Sequence, residues 1–213
     1  KANFNFNSAH ESQFGYLWSD KSKQGRESSP GEQAPEALWN QESYLGVTPL
    51  EGIWTATHTW IPNDHMLLTG HYSWQSSSWG LIPPGGRDVP MIFLAGVPHW
   101  ENTFFYVSPF ENTAHDINVD LNYFKEDWIG GDHEFKFGFV YQTNRARTFS
   151  SYGNGVLLVD YFQTIPNGPL TSGYMKAELD IDGRYRESRI GAYASDTFRK
   201  NNWTFNLGVR FDH

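Results

Sequence analysis

The chain has 213 residues, a formal net charge of −8 and no cysteine. That excludes a disulfide frame, a thiol nucleophile and a Cys-based zinc centre, and it argues against nucleic acid, which needs clustered Lys and Arg. Aromatic residues make up 17% of the sequence but hydrophobic residues only 38%, so the apolar content is aromatic and scattered rather than the Leu, Ile and Val of a water-soluble core.

Period-two alternation dominates, and it predicts about eight strands, near 2–8, 11–19, 48–61, 65–78, 114–128, 134–148, 185–199 and 202–213. In the third, Trp54, Ala56, His58 and Trp60 oppose Thr55, Thr57 and Thr59. In the fourth, Met66, Leu68, Tyr72 and Trp74 alternate with Thr69, His71 and Ser73. The fifth sets Ile117, Val119, Leu121 and Tyr123 against Asn118, Asp120 and Asn122. The sixth carries Phe135, Phe137, Phe139 and Tyr141 against Glu134, Lys136, Gly138 and Gln142. The last has Trp203, Phe205, Leu207, Val209 and Phe211 against Thr204, Asn206, Gly208, Arg210 and Asp212. Each strand therefore has one apolar and one polar face.

A short phrase recurs with the turns. His10 leads to Gly15, His65 to Gly70, His133 to Gly138 and Trp203 to Gly208, each after a polar or small pair. The spacing between copies is uneven, which excludes a solenoid or propeller. Tight turns are expected at 9–10, 62–64, 129–133 (around Gly130-Gly131-Asp132) and 200–201. Between them lie three connections, 20–47, 79–113 and 149–184, rich in Gly, Pro, Ser and Asn. Residues 171–182 fit either an extension of the seventh strand or a small hairpin within its loop. Short turns at one end and long loops at the other describe an all-β, antiparallel transmembrane β-barrel segment, with short periplasmic turns and long extracellular loops. Strands of about ten residues or more can cross a bilayer when tilted, and no apolar run is long enough for a spanning helix. The chain begins at Lys1 and stops at Phe211-Asp212-His213 with the alternation still running, so it reads as a piece of a longer precursor. A complete eight-stranded barrel with a structural or adhesion role, and a soluble Trp-rich carbohydrate-binding sandwich, remain as alternatives.

No catalytic constellation stands out, and the chain is not read as an enzyme. There is no G-x-S-x-G elbow, phosphate-binding glycine loop or H-E-x-x-H helix, and Asp116, Asp120, Glu126 and Asp127 fit a hydrated wall. His10, His65 and His133 would lie along one rim, on turns two strands apart, too far apart to share a metal whose ligands sit about 2.1 Å from one centre. His58 could approach His71 across a hairpin, but the register puts them on different faces, with His58 on the aromatic side. The stretch Glu178-Leu-Asp180-Ile-Asp182-Gly183 opens like a calcium loop, yet its twelfth position is Arg189 where a bidentate acid is needed. No cofactor is expected. Asn202-Trp203-Thr204 matches a glycosylation triplet by chance at a turn. The loop 79–113 holds the candidates for ligand contact, Trp79, Arg87, His99, Trp100, Phe104 and Tyr106, whose rings could stack on a ligand or form the loop's own small core.

Three stretches carry a family resemblance. Asp127-Trp-Ile-Gly-Gly-Asp-His-Glu-Phe-Lys-Phe-Gly138 contains a strand–turn–strand phrase of the form G-x-H-x-x-K-x-G. Gly191-Ala-Tyr-Ala-Ser-Asp196, with Trp203-Thr-Phe-Asn-Leu-Gly-Val-Arg-Phe-Asp212, forms a second, and Pro35-Glu-Ala-Leu-Trp-Asn40 a third. Together they resemble TonB-dependent outer-membrane receptors, in particular the Oar-like branch with its carboxypeptidase-regulatory-like domain. The resemblance implies a bacterial outer-membrane location and import of a nutrient such as a siderophore, glycan or peptide. It implies as partners the lipid, the rest of the barrel with its plug, and TonB through an N-terminal region. Receptors of this kind have about 22 strands. No plug, TonB box or terminal strand can be read here, so residues 1–213 are expected to form roughly the middle third of one barrel domain.

Overall fold

The computed structural model describes residues 1–26, 39–43, 51–82, 91–94, 99–101, 108–164 and 170–213, with side chains described for 1–23, 51–80, 110–150 and 181–213. The described residues are nearly all strand. In chain order these are β1 (Ala2–Asn7), β2 (His10–Leu17), β3 (Ser22–Arg26), β4 (Trp39–Ser43), β5 (Gly52–Asn63), β6 (Met66–Ile82), β7 (Met91–Leu94), β8 (His99–Glu101), β9 (Ser108–Trp128), β10 (Gly131–Thr164), β11 (Leu170–Lys200) and β12 (Trp203–Asp212). Eight of them form one antiparallel path, β1-β2-β5-β6-β9-β10-β11-β12. These are the eight strands expected from the alternation. Among the described residues β1 and β12 each have one neighbour, so the sheet has two open edges. The self-closed eight-stranded barrel is not what forms.

The faces match the sequence pattern. Leu121 pairs Leu68 on one side and Phe137 on the other, and Phe137 pairs Ala194, which pairs Val209. This row crosses five strands on one face. Asn122, one residue on, pairs Leu67 and Lys136, and Lys136 pairs Ser195 on the opposite face. The apolar row is uncovered: Phe137 is 44% exposed and Phe139 43%. Among the described residues the largest fully buried side chain is Ser76. A soluble sandwich would bury its apolar face against a second sheet, and no such layer occurs among the described residues.

Four two-residue hairpin turns lie at one end. Asn7 pairs His10 around Ser8-Ala9, and Asn63 pairs Met66 around Asp64-His65. In both, the leading asparagine's Oδ1 accepts a bond from the backbone N–H two residues on, at 2.8 Å and 2.9 Å, an Asx turn. The third turn sits one residue earlier than its glycine pair suggests. Trp128 pairs Gly131, with Ile129 and Gly130 between them at φ 48° and 85°, the conformation of a type I′ hairpin. The second glycine serves closeness instead, because a Cβ on Gly131 would overlap the Arg199 carbonyl and the Phe198 ring. Asn201, at φ 52°, makes the fourth turn between Lys200 and Trp203.

At the other end the described parts of the expected loops are mostly strand. β10 has 34 residues and β11 has 31, where about 9–11 suffice to cross a bilayer. Their ladder continues past Ser151 through a register shift to Thr164 and Leu170, so residues 171–182 do extend the seventh long strand. In the span 79–113, β6 runs on to Ile82, β7 lies parallel to β10 (Leu157 beside Met91), and β8 pairs β7. In the span 20–47, β3 pairs β4, which docks on β6 from Ser43–Trp79 to Asn40–Ile82. Gly, Ser and Asn in these stretches suggested coil, but a long partner strand supplies the backbone bonds that local propensity alone does not.

Ile129 is a β-branched residue at positive φ, a conformation costing roughly 1–2 kcal/mol for a side chain that crowds the carbonyl. Ile129→Asn should stabilise the folded barrel by about 1 kcal/mol. Urea unfolding of the intact receptor in lipid vesicles measures it, and an unchanged or lowered midpoint would contradict the turn assignment.

Candidate functional site

The polar face is where the charged side chains converge. Along β9, alternation directs Asp116, Asn118 and Asp120 to it. β10 adds Glu134, Lys136 and Gln142, and β11 adds Glu187, Arg189 and Tyr193. These groups satisfy one another in short chains. Asp116 accepts from the amides of Asn118 and Gln142. Glu134 lies between Lys136 at 2.9 Å and Arg199 at 3.2 Å. Asp212 accepts from Arg189 at 3.1 Å and Arg210 at 2.7 Å. A concavity of about 320 Å3 opens near the long-strand end, lined in part by Gln75, Asn112, Asp116, Gln142, Glu187 and Arg189.

One contact explains a glycine of the recurring phrase. Tyr193 on β11 reaches over Gly138 on β10 and donates to Asp120 on β9 at 2.8 Å. Asp120 and Tyr193 both pair Gly138 in register, and any Cβ there would overlap the tyrosine ring. Gly15 and Gly208 share this face, beside Thr55 and Ser195. Gly70 lies on the apolar face with nothing within 4 Å of its would-be Cβ. The phrase is thus a geometric habit rather than a site.

The apolar face ends in aromatic clusters near the turns. His133 pairs Asp196 at 2.7 Å, beneath Trp128 at 5.3 Å, Phe135 at 5.3 Å and Phe198 at 4.8 Å between ring centroids. His10 contacts His58 at 3.2 Å, and Ser12 contacts the other His58 nitrogen at 2.7 Å. Trp60 stacks on His10. His58 is therefore on the aromatic side as read from sequence, while His71 bonds Thr57 at 2.9 Å on the polar side. No group of three or more possible metal ligands occurs among the described residues. The His–Asp pair joins residues 63 positions apart, and no local signal could have revealed it.

Of the loop candidates, Trp79 is on β6, on the polar face, tilted against Phe110 with centroids 6.1 Å apart. It sits on β6 four residues beyond Gln75, which lines the concavity. His99 and Trp100 fall on β8, opposite Leu94 and Phe93 of β7. Their side chains, and Arg87, Phe104 and Tyr106 altogether, lie outside the described residues.

An open, two-faced antiparallel sheet with hairpins at one end and overlong strands at the other is an arc of a membrane β-barrel. Residues 2–213 match the family model for the β-barrel of TonB dependent receptor-like proteins, and the chain belongs to that family. It is thus part of an outer-membrane protein and not an enzyme. Two solved structures share the fold. The outer membrane transporter YddB from Escherichia coli superposes with a TM-score of 0.59 at 13% identity, over 99% of this chain and 26% of that one. The ferric citrate transporter FecA in its unliganded form gives 0.58 at 13% identity, over 99% and 28%. The chain spans about a quarter of the length of these neighbours. No curated protein matches it in sequence.

The crossing of Tyr193 over Gly138 is testable by a double-mutant cycle. Gly138→Ala should cost about 1–3 kcal/mol by overpacking, and Tyr193→Phe about 1 kcal/mol for the lost hydrogen bond. In a Tyr193→Ala background, Gly138→Ala should cost almost nothing. Urea unfolding of the intact receptor reads all of these, and strictly additive effects would rule out the contact.

Proposed function

We propose that this chain is one arc of the wall of a TonB-dependent transporter that imports a nutrient (siderophore, glycan or peptide) with energy relayed from the inner membrane. On this reading residues 1–213 belong to a single barrel domain completed by further strands and a plug. The short turns face the periplasm and the long strands project outside. The observation that carries it is the two-faced open sheet, with apolar residues on one face and Asp116, Gln142, Glu187 and Arg189 on the other; on this reading the first face meets lipid and the second a hydrated interior. In full, such a wall meets a plug on its polar face and needs partner strands at β1 and β12. The Oar-like branch is the finer assignment, supported by the phrase Gly131–Gly138 and the hairpin ending in Trp203–Asp212.

Ligand contact is assigned to the long-strand end. Trp79 lies on the polar face four residues beyond Gln75 of the concavity, and β8 carries His99 and Trp100 beside β7. Arg87, Phe104 and Tyr106 belong to the same span of sequence and are part of the proposal. Of the two neighbours, FecA is named for ferric citrate, an iron chelate of the siderophore kind.

The test is uptake by cells dependent on the intact receptor, assayed with iron siderophores, oligosaccharides and peptides. Uptake of one class should depend on the receptor and stop when a protonophore collapses the inner-membrane gradient. Replacing residues 91–101 with a Gly-Ser linker should weaken ligand binding by about tenfold or more, equivalent to about 1.4 kcal/mol, with the barrel still resistant to unboiled detergent. Uptake that survives the protonophore would contradict energised transport.

A further inference from the structure

We propose that His10 of β2 and His58 of β5 form a two-imidazole site for a nitrogen-seeking divalent ion, copper(II) above all, on the apolar face at the hairpin end. The site depends only on contacts between these two strands, so it stands apart from transport. His65 and His133 belong to other hairpins, and register gives His10 a different partner. His10 pairs Trp60 and Ser12 pairs His58, which makes the two imidazoles diagonal neighbours across the ladder. Long side chains can close that diagonal.

Here they do close it. Nδ1 of His10 stands 3.2 Å from Nε2 of His58, with the ring planes 27° apart. Two nitrogen ligands of a tetrahedral ion, each about 2.0–2.1 Å from the metal, are separated by about 3.3 Å. The pair therefore already has the span of a chelate. Without an ion the same two nitrogens make a hydrogen bond, so ion and proton compete for one gap.

The surroundings hold both rings in place. Trp60 stacks on His10 at 5.8 Å between centroids and 10° between planes. Ser12, only 6% exposed, places its hydroxyl 2.7 Å from Nδ1 of His58. When that hydroxyl accepts from the Nδ1–H, Nε2 keeps its lone pair, which is the tautomer a metal requires. A hydrogen bond on the second ring nitrogen is the usual support of a ligating histidine. His58 is exposed, so water can complete the coordination. Glu11 pairs Asn5 and Thr59 on the opposite face and adds no carboxylate. Imidazole donors without thiolate or carboxylate favour copper(II) over the oxygen-seeking calcium and magnesium. A bound ion would tie β2 to β5 through residues 48 positions apart.

The intact receptor, purified in detergent without a polyhistidine tag, is titrated with copper(II) and followed by electron paramagnetic resonance. Wild type is compared with His10→Gln, His58→Gln and Ser12→Ala. Wild type should bind copper at micromolar concentration and show the hyperfine pattern of two imidazole nitrogens. Ser12→Ala should weaken binding about tenfold, and either glutamine variant should weaken it more steeply and lose the two-nitrogen pattern. A wild type without that pattern, or glutamine variants that keep it, would overturn the site. Unchanged binding by Ser12→Ala would overturn the role given to its hydroxyl. Calcium at equal concentration should leave the copper in place, and displacement would overturn the imidazole assignment. The wild-type spectrum decides the matter even where a variant loses the heat-dependent gel shift of a folded barrel. Uptake does not enter the readout, so failure here leaves the transport proposal standing.

Discussion

In hydrocarbon a backbone N–H or C=O has no water to turn to, and each unpaired group costs several kcal/mol. That single constraint organises this chain. Continuous ladders between β1 and β12 satisfy the backbone except along the two open edges, and they fix side chains to alternate faces. One face must then suit lipid, and the scattered aromatic composition follows from it. Near the turns, some polar groups on that face pair with each other among aromatic rings. His133 with Asp196 under Trp128 and Phe198, and His58 between His10 and Ser12, both lie close to the turns, where lipid gives way to water.

The other face follows different rules. It has no apolar core to build, so its stability comes from polar pairings across neighbouring strands. Asp116, Glu134 and Asp212 each collect two donors. Tyr193 spans two strand spacings to reach Asp120, which is possible only because Gly138 presents no side chain beneath it. Beyond the band the same alternation continues into water, and there the outward positions of β10 and β11 change from Phe and Ile to Arg.

Much of this was legible because a residue's face needs nothing but its parity. Phe135, Phe137 and Phe139 declare one side and Lys136 and Gln142 the other, wherever the strand ends. The hairpin end was legible too, since Asn7, Asn63 and Asn201 are residues with turn chemistry of their own. The long-strand end was not. Ser150-Ser151-Tyr152-Gly153-Asn154-Gly155 has the composition of a turn, yet the ladder shifts register there and continues. Local preference says nothing about a partner strand waiting thirty residues on. Contacts fixed by register between distant segments, such as His10 with His58 or His133 with Asp196, were likewise invisible until strands were paired. Ile129 at positive φ contradicts its own propensity, and only the hairpin around it holds it there.

The central claim is that β10 crosses a membrane with its odd positions in lipid and its even positions in a water-filled interior. The chain contains no cysteine, so single cysteines introduced at 134–137 and 139–142 of an otherwise cysteine-free intact receptor report position by position. Labels at Phe135, Phe137, Phe139 and Tyr141 should be quenched by a lipid-dissolved quencher and resist a water-soluble thiol reagent. Those at Glu134, Lys136, Val140 and Gln142 should behave in the opposite way. A profile without a two-residue period, or one with the faces reversed, would contradict the account.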